Sequence, residues 1–117
     1  AELLYACAVA TGRISPERMA ALLSENAAKA FGMYPQKGAL RVGSDADIAI
    51  FDPARARTIS FRTNAHRCDN SPYEGMRVPG SVRDVVLGGE LVVEDGQLVQ
   101  RGRGRFVARR PCFEAAV

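Results

Sequence analysis

An α+β fold is predicted for this chain. Apolar residues recur at helical spacing through the first third, then alternate between turn formers after Gly38. Gly88 with Gly89, and Asp95 with Gly96, separate short apolar runs in the manner of an antiparallel meander. At 117 residues the chain fits one domain, and folding at this size removes roughly 65% of the unfolded surface from water.

The elements follow in order. Leu3, Leu4, Cys7 and Ala8 repeat at helical spacing, and Gly12 is placed to end that helix in a left-handed conformation. A second helix opens with Ser15 as cap, Pro16 at the first helical position and Glu17 at the positive end of the dipole. Ile14 and Met19 are spaced for a hydrophobic staple, and Met19, Leu22 and Leu23 supply one apolar face. Ser24 or Asn26 caps a short third helix, "AAKAF", which Gly32 closes. Strands are then predicted around Leu40 and Val42, over "IAIF" (48–51), and around Ile59 and Phe61 in "TISFRT". Residues 64–80, with two prolines and two glycines, read as a long irregular connection. "VRDVVLGGELVVEDGQLVQ" (82–100) supplies the meander of two or three strands. These strands are too few to close a barrel or complete a sandwich, so their edges need cover from an oligomer or from further chain.

Composition narrows the function classes. With 47% apolar and 25% charged residues, the chain has the balance of an ordinary soluble globular protein. No apolar run nears the roughly 20 residues of a membrane span, and "AELLYACAVATG" carries Glu2 and no basic leader, unlike a secretory signal. Cys7, Cys68 and Cys112 are odd in number and lack CxxC spacing, which argues for a reducing, cytoplasmic setting over a disulfide framework or a zinc site. The net charge of +3 is mild, but five arginines crowd "RGRGRFVARR" (101–110). No stacking platform accompanies them, so a solvated or subunit-contacting tail is the reading, ahead of nucleic-acid binding.

Four features invite a chemical reading. Asp45, Asp47 and Asp52 in "KGALRVGSDADIAIFDP" (37–53) are hard oxygen donors, yet the stretch lacks the alternating ligands, central glycine and closing glutamate of a calcium loop. They read instead as turn and strand-entry residues. His66 is the single histidine, without an HxH or HExxH partner, and reads as a polar loop residue. Cys68, with His66 and Asp69 nearby, has the residue types of a thiol nucleophile, but adjacency in sequence does not assemble such a site; a partly buried free thiol is favoured. The glycines of "RGRGRF" lack the spacing of a phosphate loop. No residue is therefore assigned a catalytic, cofactor-binding or metal-binding role.

The order "LLSENAAKAFGMYPQKGALRVGSDADIAIFDP", "NSPYEGM", "VVLGGELVVEDGQ" and "GRGRFVARR" resembles the C-terminal end of the dihydropyrimidinase and hydantoinase group of cyclic amidohydrolases, over nearly the whole chain. The "KG…VGSDADI" portion is shared across that superfamily, including dihydroorotases and allantoinases; "SPYEGM" and the "GRGRFV" tail point to the hydantoinase side.

The resemblance implies a larger, metal-dependent enzyme with a TIM-type barrel and a small β-sandwich built from both chain ends. In such enzymes a metal-bridging hydroxide attacks the ring amide and an aspartate moves the proton. The two divalent ions, expected to be zinc, are held by histidines, a carboxylated lysine and that aspartate, all upstream of Ala1 in the family pattern. Residues 1–36 would then be the last helices of the barrel, 37–100 the C-terminal share of the sandwich, and 101–117 an extended basic tail reaching along a neighbouring subunit of a dimer or tetramer. The segment by itself would bind no cofactor, and its partners would be the N-terminal part of the parent enzyme and further copies; the small cyclic amide would belong to the parent. The collapsin response mediator proteins keep this architecture without the hydrolase's metal ligands, so a noncatalytic oligomeric scaffold is one alternative, and part of an allantoinase- or dihydroorotase-type enzyme is the other.

Overall fold

The structure, a computed structural model, describes residues 1–101 and 104–109; residues 102–103 and 110–117, Cys112 and much of the predicted tail among them, fall outside that description. The first predicted helix forms, but it changes pitch. It begins as α1 (Glu2–Leu4) and continues as a π-helical stretch over Tyr5–Val9. There the Ala10 N–H reaches back five residues to the Tyr5 carbonyl at 2.8 Å, and the Arg13 N–H to that of Ala8 at 2.8 Å. Just beyond this stretch the Thr11 hydroxyl donates to the Cys7 carbonyl at 2.9 Å. Gly12, at φ +74°, turns the chain away.

The second helix, α2 (Pro16–Leu23), begins as its sequence dictates: Ser15 Oγ accepts the Arg18 N–H at 3.2 Å with Pro16 at the first position, and Met19 is its buried residue. In α3 (Glu25–Ala30) the cap position is Ser24, not Asn26, and Ser24 contributes no side-chain bond. Glu25 and Lys29 pair along its face at 2.5 Å.

The strand expected at Leu40 and Val42 does not form. Residues 36–45 close on themselves: the Asp45 N–H donates to the Gln36 carbonyl at 2.8 Å, the Ser44 N–H to that of Arg41 at 3.1 Å, and the Ser44 hydroxyl to that of Pro35 at 2.7 Å. With its backbone spent on itself, this stretch is a loop, and Leu40 and Val42 stand in solvent at 80% and 103% exposure. Alternation in sequence made them look like a strand, but a strand needs a neighbour to receive its hydrogen bonds.

The principal sheet is four-stranded and antiparallel, in the order β1 (Ile48–Asp52), β4 (Ser81–Leu87), β5 (Glu90–Glu94) and β6 (Gln97–Leu98). Gly88 and Gly89 take φ +59° and +86° in the first hairpin turn, Asp95 and Gly96 +49° and +76° in the second, as their composition predicts. Register slips place Arg83 of β4 between the partners of Ile50 and Phe51, and Val92 of β5 between those of Val85 and Val86. Both bulged residues find other hydrogen-bond donors, Gly96 N–H for the Arg83 carbonyl and Val99 N–H for that of Val92. A second, two-stranded sheet pairs β2 (Arg57–Thr58) with β3 (Arg77–Val78). The predicted strand around Ile59 and Phe61 therefore starts earlier and ends sooner. Ile59 still exchanges bonds with Met76 and Gly75, but at Phe61 the chain turns away.

The buried apolar set is small: Met19, Ala28, Ile59, Val78 and Val92. Buried Ser81 satisfies its hydroxyl on the Arg55 carbonyl at 2.9 Å. Helices and sheets meet through a few specific contacts. Tyr5 lies 4.6 Å from Phe51 between ring centroids, and Glu2 uses one carboxylate oxygen on the Val82 N–H at 3.2 Å and the other on Arg57 Nε at 3.0 Å.

Candidate functional site

The 37–53 stretch builds a cluster of charged side chains centred on a lysine. Lys37 sits at one end of the closed loop, Asp45 and Asp47 at the other. Its ammonium lies 2.9 Å from Asp45 Oδ2 and also pairs with Asp47 Oδ2. Asp47 Oδ1 accepts the Gly88 N–H at 2.8 Å, and the Gly89 N–H donates to the Ala46 carbonyl at 3.0 Å, so the same residues hold the β4–β5 turn. Asp45 also accepts from Gln36 Nε2 at 3.2 Å and from Arg105 Nη2 at 2.9 Å, which ties down the tail. A cleft of about 430 Å³ opens beside these groups, lined by Lys37, Asp47, Gly88 and Arg105.

The charges stabilise one another. The hydrogen bond to Asp47, then that to Asp45, raises the Lys37 pKa above that of an ordinary lysine. Lys37 holds the Asp45 carboxyl below the usual aspartate value, with Gln36 and Arg105 adding to it. For Asp47 burial pushes upward, but Lys37 and the Gly88 N–H outweigh it and the net shift is down. These carboxylates do not fit a divalent ion, since an incoming cation would have to displace the ammonium, the guanidinium and the amide donors already on them. Among the described residues no three His, Cys, Asp or Glu side chains converge as a cation ligand set.

The other sequence candidates are scattered. Asp52 makes a turn, its Oδ1 accepting the Ala54 N–H at 2.9 Å. His66 Nδ1 accepts the Cys68 backbone N–H at 3.2 Å, and its Nε2 lies 3.2 Å from Asn64 Nδ2; the ring thus organises its own loop. Cys68 is exposed, not partly buried as its sequence context led us to expect, and so is Cys7. Of the arginine tail, Arg105 is committed to Asp45.

Two structural roles were not visible in the sequence. Glu74, from the "SPYEGM" motif, accepts the Ser60 hydroxyl at 2.7 Å and the Phe61 N–H at 2.7 Å, and these donors, the N–H first, hold its pKa below the usual glutamate value. This motif therefore fixes the turn after Ile59. Arg55 grips the second hairpin turn, with Nη1 2.6 Å from Asp95 Oδ1 and Nη2 donating to the Asp95 carbonyl at 2.8 Å. Asp84 accepts the Asp95 N–H at 2.9 Å and pairs with Arg83 at 2.7 Å. Charged residues near turn glycines were the available signal, but the partner of Arg55 lies 40 residues away.

Short helices lead into an antiparallel sheet, an α+β arrangement whose charged side chains fix its turns. Residues 1–92 match the amidohydrolase family, and the chain belongs to that family. It is similar to D-phenylhydantoinase of Escherichia coli O127:H6 (strain E2348/69 / EPEC), 42% identical over 111 residues that make up 94% of this chain and 24% of that protein. Among solved structures it is similar to D-hydantoinase from Bacillus sp. AR9, with TM-score 0.86, 47% identity, and coverage of 92% of this chain and 24% of the other. It is also similar to dihydropyrimidinase from Brevibacillus agri NCHU1002, with TM-score 0.79, 45% identity, and coverage of 84% and 21%. The chain thus spans about a quarter of the length of the relatives it matches.

Proposed function

We propose that this chain is the C-terminal structural and subunit-contact segment of a metal-dependent hydrolase that opens cyclic amides of the hydantoin and dihydropyrimidine type. The observation that carries this reading is identity of 42%, sustained over 94% of the chain, with a D-phenylhydantoinase. Residues 1–36 are the last helices of a barrel, 37–100 the C-terminal share of a β-sandwich, and 101–117 a tail toward a neighbouring subunit in a dimer or tetramer. The edge position of β1 supports the second assignment, because among the described residues no strand pairs with its other side, and Ile50 is 40% exposed. The parent's two divalent ions, zinc in this reading, are held by residues outside this segment, consistent with carboxylates here that are already neutralised. No described helix is long and apolar enough to cross a membrane, and the cytoplasm is the compartment we propose.

The test is to read the coding frame upstream of Ala1 and assay its product on hydantoin and dihydrouracil. Paired histidines, a lysine and chelator-sensitive ring opening are expected. An upstream barrel without those ligands, and no turnover, would favour the noncatalytic scaffold instead. The 117-residue chain alone is expected to be inactive.

A further inference from the structure

Asp95–Gly96 is the single Asp–Gly step of the sequence, which has no Asn–Gly step. The fold calls for it at this point. Glu94 of β5 pairs with Gln97 of β6, so the loop between them is two residues long, and both residues stand at positive φ, which Asp–Gly accommodates.

The pair that suits the turn is also chemically labile. The Gly96 backbone nitrogen can attack Cγ of the Asp95 carboxyl: a C–N bond forms, a C–O bond of the carboxyl breaks, and water leaves a five-membered imide. Water then adds back at either imide carbonyl. Opening at one restores aspartate, and opening at the other gives isoaspartate, in which the main chain runs through Cβ and Cγ. A following glycine favours the attack, because no Cβ screens its nitrogen. Water is the only species lost or gained.

The fold holds this turn from both sides. The Gly96 N–H donates to the Arg83 carbonyl at 2.7 Å, a group that the bulge in β4 leaves available, and the Asp95 N–H donates to Asp84 Oδ1 at 2.9 Å. From the other side comes Arg55, with Nη1 2.6 Å from Asp95 Oδ1 and Nη2 donating to the Asp95 carbonyl at 2.8 Å. Its guanidinium also covers Gly96, where a Cβ would meet Arg55 Nη2 at 3.3 Å. The Asp95 side chain is nonetheless 80% exposed, so water for the second step is at hand.

We infer that Asp95–Gly96 is a site of isoaspartate formation and that Arg55 restrains it. One guanidinium fixes both the carboxyl that would be attacked and the carbonyl of the peptide whose nitrogen attacks, so the turn must open before the imide can close. The product lengthens a two-residue turn by one backbone atom, which breaks the Glu94–Gln97 register and frees β6.

The test holds the complete polypeptide at mildly acidic pH, as wild type, Arg55→Met and Arg55→Lys, in native buffer and in urea. Trypsin releases residues 84–101 as one peptide, in which electron-transfer fragmentation locates isoaspartate at position 95. Isoaspartate is expected to accumulate fastest in urea. In native buffer Arg55→Met is expected to form it roughly fivefold faster than wild type, as loss of one charge-assisted grip, discounted for exposure, leaves the turn open more often. Arg55→Lys, without the fork that reaches both oxygens, should fall between them. No isoaspartate at 95 even in urea would overturn the site. Equal native rates for wild type and Arg55→Met would overturn the role of Arg55. So would an equal rise in deamidation at Asn70–Ser71, which would mark general loosening. If Arg55→Met fails to fold, Arg55→Lys carries the test: a rate above wild type is expected, and the same rate overturns it.

Discussion

Replacing Asp47 removes two bonds that hold different parts of the molecule, the ion pair with Lys37 and the acceptor for the Gly88 N–H in the β4–β5 turn. The side chains of Lys37 and Asp47 are 22% and 29% exposed, so the pair lies between two regimes. A fully solvated pair contributes about 0.2–1 kcal/mol, and a hydrogen bond to a charged group about 1.5–3 kcal/mol. Discounted for solvent screening, Asp47→Ala is expected to cost about 2 kcal/mol. Asp47→Asn keeps an oxygen for Gly88 but puts an NH2, which cannot accept, where Oδ2 met Lys37, so it loses the ion pair alone, at about 1 kcal/mol. Urea unfolding measures both as a shift in midpoint at unchanged slope.

The pH dependence follows from the directions of the shifts. Asp47 is held below the ordinary 3.8, so its contribution is present above about pH 4 and fades as pH falls through its depressed folded-state value. Lys37 is raised above 10.5, so its contribution is present below that pH and fades as pH rises through its folded-state value. The gap between wild type and Asp47→Ala should be level between those limits and narrow outside them. Two variants within about 0.3 kcal/mol of wild type, or a gap as wide at pH 2 as at pH 7, would refute the reasoning.

Two further outcomes follow from the same geometry. Gly38→Ala is expected to lose about 3 kcal/mol by urea unfolding, because a left-handed φ and overlap with Ala28 and the Ser24 carbonyl act together; a loss below about 1 kcal/mol would mean that α3 yields. Arg105→Ala should leave the melting temperature unchanged and speed tryptic cleavage at Arg101 and Arg109, since the Arg105 side chain is 69% exposed, and Asp45 keeps Lys37 and Gln36 without it. Unchanged cleavage would show that other contacts hold it.

What could be read from the sequence was what neighbours along the chain decide. Ser15 and Pro16 start α2, and the glycine-bearing turns define the meander, because each acts within a few residues. The π-helical pitch after Leu4 was hidden, since Tyr5–Val9 carries the same helical spacing of apolar residues as an α-helix. Leu40 and Val42 were misread because alternation carries no information about whether a neighbouring strand exists. The turn chemistry around Asp45 and Asp47 is legible in Gly43 and Ser44 beside them. The binding of these aspartates to Lys37, Gly88 and Arg105 was out of reach, since those partners are brought together only by the fold.

The central claim is that this segment supports a hydrolase whose reacting groups lie elsewhere in the same polypeptide. The most direct measurement is hydantoin and dihydrouracil ring opening by the complete product of the frame that contains residues 1–117, before and after chelation, alongside the 117-residue chain alone. The account predicts turnover by the complete protein that is lost on chelation and restored by a divalent ion, and none by the segment. Ring opening by the isolated segment, or a complete protein with no activity under any metal supply, would contradict it.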